Sequence, residues 1–120
     1  METASLVLAG LVAALHVWFL VLEMFLWTKP IGQKTFRRSA AQQEETKVLA
    51  ANQGLYNGFL AAGLVWSLVA NEALAVPLRV FFFGCVVVAG LYGAATAAKQ
   101  ILYVQAVPAA IGLAITLAAR

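Results

Sequence analysis

Two residues interrupt the apolar run HVWFLVLEMFLW at positions 16–27, His16 and Glu23. They lie seven residues apart, close to two helical turns, so they share one face of a helix. A carboxylate among such neighbours must find hydrogen-bond donors, hold a proton, or touch water. Its chemistry is then ligand contact or proton handling; its structural alternative is a hydrogen bond that locks one helix to the next. A lone histidine in this setting reads first as a neutral side chain bonded to a carbonyl or hydroxyl. Metal sites need three or four ligands, and one His, one Cys and five acids do not supply them. No metal or haem site is expected, and no cofactor is named by these residues.

A second polar run, NQGLYNGFLAAG at 52–63, supplies partners. Asn52 and Tyr56 are four apart and share a face, which Gly63 continues. Gly54, Asn57, Gly58 and Ala61 lie on another side, where Gly54-x-x-x-Gly58 is a small-x-x-x-small contact. Tyr92, Thr96 and Lys99 follow further along the chain, and then Tyr103 and Gln105. These groups are expected at one depth, in the cytoplasmic half of a bundle whose outer half is Val, Leu, Ala and Phe. Such a layer reads as a cavity with Glu23, Asn52, Tyr56, Asn57, Tyr92 and His16 as ligand-binding candidates. Helix-to-helix bonding alone is the competing use. The chain has no Ser/His/Asp set, phosphate-binding loop or Cys-x-x-Cys, so no catalytic residue is assigned.

The elements that hold these residues follow from composition. Of 120 residues, 63% are hydrophobic and 11% charged, whereas soluble domains carry about a quarter charged. The excess of base sits in one segment between apolar runs, which is the pattern of a membrane protein with a basic cytoplasmic loop and not of a nucleic-acid binder. The single cysteine, Cys85, excludes an intrachain disulfide. The first apolar run has no preceding Lys or Arg and is too long for a signal peptide, so it reads as retained.

Crossing a bilayer takes ~17–25 apolar residues, and four spans are expected, at about 4–28, 48–70, 77–98 and 102–119. Pro30 and Gly32 break the helix in a basic cytoplasmic loop, 29–47. The second helix is expected to start early, because Ser39 with Gln42 forms a capping box. Pro77 is expected as the first residue of helix three, and Pro108 as an internal kink in helix four. Glu23 then stands about 8 Å inside the end of its span. Lys29, Lys34, Arg37, Arg38, Lys47 and Lys99 fall on one side and only Arg79 and Arg120 on the other. Both termini are therefore expected on the non-cytoplasmic side. Trp27 and Trp66 read as interfacial anchors.

The His16–Glu23 pair together with ANQGLYNGFLAAGL resembles a family of small bacterial four-helix membrane proteins described only as a domain of unknown function. The resemblance covers nearly the whole chain and implies a fold and a location. The layout and Asn52 also resemble, more distantly, the membrane-associated proteins in eicosanoid and glutathione metabolism, which are four-helix trimers. That family's helix-two pattern has an Arg before this Asn and a Glu after it. Here Leu49 and Ala50 precede it, and Leu55 and Tyr56 follow.

The reading is thus an all-α integral membrane bundle of four transmembrane helices in the inner (plasma) membrane. It is expected to be a homo-oligomer that binds a small amphipathic or lipidic ligand in its polar layer. A glutathione-transferase or isomerase type of membrane enzyme and a structural or accessory subunit are the alternatives.

Overall fold

The computed structural model describes residues 2–97 and 99–119, and every regular element in it is helical. Helix α1 spans Glu2–Met24, α2 Pro30–Phe36, α3 Ala40–Val69 and α4 Glu72–Thr96. A π-helical turn, Leu102–Ala106, leads directly into α5, Val107–Ala119. Among the described residues, three helical runs are long and apolar enough to cross a membrane: α1, α4 and Leu102–Ala119. The expected second span lies inside α3, the longest helix, but α3 is not among the three. Asn52, Gln53, Tyr56 and Asn57 dilute its apolar stretch. Ala98, the expected end of the third span, and Arg120, one of two bases expected on the non-cytoplasmic side, lie outside the described residues.

Local chemistry sets the boundaries. The Ser39 Oγ accepts from the Gln42 N–H at 3.2 Å, and the Gln42 Oε1 accepts from the Ser39 N–H at 2.9 Å. This reciprocal box starts α3. α1 ends four residues earlier than the expected span, where the Leu26 N–H reaches back five residues to the Val21 carbonyl. The loop expected at 29–47 is itself largely helical. Pro30 sits at the first position of α2, where its missing N–H costs nothing, and Arg37 closes that helix at φ 54°.

Pro77 does not begin its helix, contrary to the expectation. Asn71 is the N-cap, its side-chain oxygen accepting from the Leu74 N–H at 3.1 Å, so α4 starts at Glu72 with Pro77 inside it. A bonded cap satisfies an otherwise orphaned donor, and this outweighs the carbonyl that Pro77 leaves without its helical donor. At Pro108 the helix absorbs the proline through the π turn. The Val107 N–H bonds the Leu102 carbonyl five residues back, one position before the residue that has no N–H to give.

The chain divides into two compact units, Leu15–Phe59 and a second formed by Met1–Ala14 with Leu60–Arg120. The second unit has the apolar core, with Ala9, Val12, Leu64, Phe83, Val86 and Ala109 buried together. Small residues set its helix spacing. A Cβ added at Gly90 would stand 2.7 Å from the Ala106 N and 2.9 Å from its Cα, so α4 and the π turn meet backbone to side chain.

The interior of this unit is not purely apolar. Ser5, Ser67, Arg79 and Thr116 are all buried in it. The Arg79 Nη2 donates to the Glu2 Oε1 at 2.6 Å and its Nη1 to the Ser67 carbonyl at 3.2 Å. The Thr116 hydroxyl donates to the Gly112 carbonyl at 2.7 Å, which leaves Ser5 as the donor in the 2.5 Å Ser5–Thr116 bond.

Gly90→Ala should destabilise the protein by about 1–3 kcal/mol, since backbone at Ala106 cannot yield. Gly84→Ala, with nothing near the added methyl, should be neutral or gain up to ~1 kcal/mol in helix propensity. Thermal unfolding in a mild detergent separates the two.

Candidate functional site

Within Leu15–Phe59, α1 and α3 are brought together by glycine. A Cβ at Gly54 would lie 2.7 Å from the Met24 Cγ and 3.1 Å from the Glu23 Cβ, and one at Gly58 would lie 2.7 Å from the Leu20 Cδ1. The expected small-x-x-x-small contact of α3 is thus made on α1. That approach lets the Asn57 Nδ2 donate to the Glu23 Oε1 at 2.5 Å. Glu23 is buried, and its second oxygen has no described partner.

Glu23 also lines an open groove of about 340 Å³. Its other polar walls are Thr28 and Lys47, and its apolar walls are Met24, Phe25, Trp27, Val48 and Ala51. Lys47 is half exposed and ion-paired with Glu44 one turn earlier. The floor beside Trp27 is well tied. The Trp27 indole N–H donates to the Thr46 hydroxyl at 3.1 Å, the buried Gln43 amide donates to the Trp27 carbonyl at 2.9 Å, and the Phe36 ring packs on the indole at 4.7 Å. Trp27 is therefore held by protein groups as well as available to an interface. The buried Gln43 Oε1 has no described partner.

The structure brings together only part of the expected layer. Asn57 meets Glu23; Asn52 and Tyr56 are on the exposed side of α3. Gly63 does not continue their face, because it is buried against the Phe82 ring. His16 is fully buried with its ring edge-on to Phe19 at 5.2 Å. Tyr92 is 72% exposed and belongs to the other unit, where it borders a shallow apolar groove with Phe81 and Cys85. No group of three or more His, Cys, Asp or Glu side chains converges among the described residues. Sequence reasoning missed Lys47, Trp27 and Val48 as groove walls. The signal was present in the amphipathic step from Lys47 to Ala51, four residues and about one turn along α3.

The Glu23–Asn57 bond can be tested by a double-mutant cycle. Glu23→Gln keeps an acceptor and should change stability little. Glu23→Leu strands the Asn57 amide and should cost ~1–3 kcal/mol. Glu23→Leu combined with Asn57→Leu should recover most of that loss, because neither polar group is left unpaired. Thermal melts of the parent, Glu23→Leu, Asn57→Leu and the double Leu variant in detergent read the coupling; strictly additive losses would mean the two side chains do not interact.

An uncharacterized protein, YpaA, of Lactococcus lactis subsp. lactis (strain IL1403) is 29% identical over 107 residues, covering 88% of this chain and 89% of that protein. No solved structure matches the chain. The model of the family described as Protein of unknown function (DUF1304) matches residues 10–117, and the chain belongs to that family.

Proposed function

We propose that this is a four-span membrane protein that binds an amphipathic ligand in the groove beside Glu23. The observation that carries the reading is the acid itself: a buried carboxylate with one oxygen bonded to Asn57 and the other without a described partner, on the wall of an open, mostly apolar groove. An ionised carboxylate accepts at both oxygens, so the second oxygen keeps capacity for a donor outside the helix pair. The apolar walls suit a chain, and the polar end suits a head group.

In this proposal α3 is the fourth span, its polar first turns standing in the cytoplasm at the plasma (inner) membrane, with both termini on the far side. Support comes from its length, 30 residues, or about 45 Å at ~1.5 Å per residue, and from the clustering of Lys29, Lys34, Arg37, Arg38 and Lys47 near its start. Asn52, Gln53 and Tyr56 are exposed on α3, and polar side chains facing lipid call for partners. A second copy of the chain is the proposed cover. A glutathione-type enzyme ranks below the binder, since Leu49, Ala50, Leu55 and Tyr56 stand where that chemistry needs charge.

Two experiments test this. Reporter fusions at the C-terminus should report the non-cytoplasmic side, with cysteines placed at 34–38 shielded from impermeant reagents added outside. A cytoplasmic C-terminus would remove the four-span topology. Native mass spectrometry of the protein from mild detergent should show oligomers carrying a co-purified amphiphile. Ala51→Phe, which fills the groove, should lose that mass at an unchanged melting temperature; retention of it would place the ligand elsewhere.

A further inference from the structure

We infer that the groove in Leu15–Phe59 selects a lipophilic organic cation. This rests on the ligand-site reading above and names its chemical class. Three features of the groove carry it. The first is charge. Glu23 has an oxygen with no described partner, while the only cation on the walls, Lys47, is already paired with Glu44 and half exposed to solvent. With Glu23 ionised, the unneutralised charge in the groove is negative, and an anionic head group would meet a carboxylate.

The second feature is the pair of aromatic walls, Phe25 and Trp27. Aromatic faces attract cations within ~6 Å of the ring, Trp most strongly, and quaternary ammonium groups are bound in this way. Trp27 is fixed by Thr46, Gln43 and Phe36, so its ring is pre-positioned. The third is the apolar remainder, Met24, Val48 and Ala51, which accepts hydrocarbon and disfavours a fully hydrated cation such as ammonium or a metal ion. Acid, aromatic face and hydrocarbon wall together fit a monocation whose charge is spread within apolar substituents. A phospholipid head group fits less well, because its phosphate, one short link from its ammonium, would be held close to the carboxylate and repelled by it.

The probes are tetraphenylphosphonium and tetraphenylborate, ions of nearly the same shape and opposite charge, titrated calorimetrically into the full-length protein in maltoside micelles. Binding to empty micelles is subtracted. The phosphonium should bind at least ten-fold more tightly than the borate. Glu23→Gln should lose ten-fold or more of that affinity at unchanged folding, Lys47→Gln should keep or tighten it, and Ala51→Phe should abolish it.

Equal affinities for the two ions, or full phosphonium binding in Glu23→Gln, overturn the inference. If Glu23→Gln fails to fold, Lys47→Gln and the ion pair still decide: borate preferred over phosphonium in either the parent or Lys47→Gln is contrary to a net negative groove. Borate binding that Ala51→Phe abolishes would overturn the charge preference while leaving the groove as the ligand site. If neither ion binds and no amphiphile co-purifies, the ligand-site reading fails as well. Displacement of phosphonium by short-chain phosphatidylethanolamine, but not phosphatidylglycerol, would replace the free cation with a lipid head group.

Discussion

In the unit from Leu15 to Phe59, α1 and α3 are joined by a hydrogen bond between two side chains that water would otherwise satisfy, Asn57 to Glu23. In surroundings this apolar, a polar side chain without a protein partner is costly. The bond requires the two helices to approach closely, and they do so because Gly54 and Gly58 present no side chain to Leu20, Glu23 and Met24. Glycine sets the spacing, the spacing permits the bond, and the bond occupies one carboxylate oxygen. Glu23 also lines the groove. In the proposed reading, one oxygen of this carboxylate serves stability and the other serves the ligand.

The same constraint is met differently in the other unit. Thr116 satisfies its hydroxyl on the Gly112 carbonyl of its own helix and still accepts from Ser5, so one small side chain links α1 to α5. Ser67 also bonds within its own helix, to the Leu64 carbonyl. Arg79 has more donors than a helix can absorb, and it spans two others: Glu2 on α1 and the Ser67 carbonyl on α3. Breaking such a pair strands a buried charge, so Arg79 fixes where α1 begins against α3 and α4. Short hydroxyl side chains are thus used where helices touch, and the long guanidinium where they must be spanned.

The features legible in the sequence were those set by neighbours close along the chain. The Ser39–Gln42 box needs only a spacing of three, the glycine step only a spacing of four, and Pro108 only its own missing N–H. Competition between two local signals was harder. Asn71 and Pro77 both mark helix starts, and the cap bond to Leu74 decided between them. Rotation of α3 was harder still. At roughly 100° per residue, Asn52 and Asn57 point about 140° apart, so one position of α1 cannot serve both. Asn57 lies towards the glycines and meets Glu23; Asn52 and Tyr56 are left on the opposite side. Arg79 reads in sequence as a surface base because its partner, Glu2, lies 77 residues away.

The exposed side of α3 has its own consequence. Of the four residues that dilute the apolar stretch of α3, Asn57 is bonded to Glu23, and Asn52, Gln53 and Tyr56 are left uncovered by the single chain. These are not independent facts. Side chains that dilute a span's hydrophobicity are tolerated only where donors and acceptors meet them, and within Leu15–Phe59 the glycine side of α3 is taken by α1. An amide both donates and accepts, so a like helix facing it in a symmetric pairing offers the complementary groups without any new residue type. Lipid offers none. In the proposed oligomer the polar face of α3 is thus an unfinished contact between copies and not a second wall of the groove, and the groove is lined from α1 by Glu23.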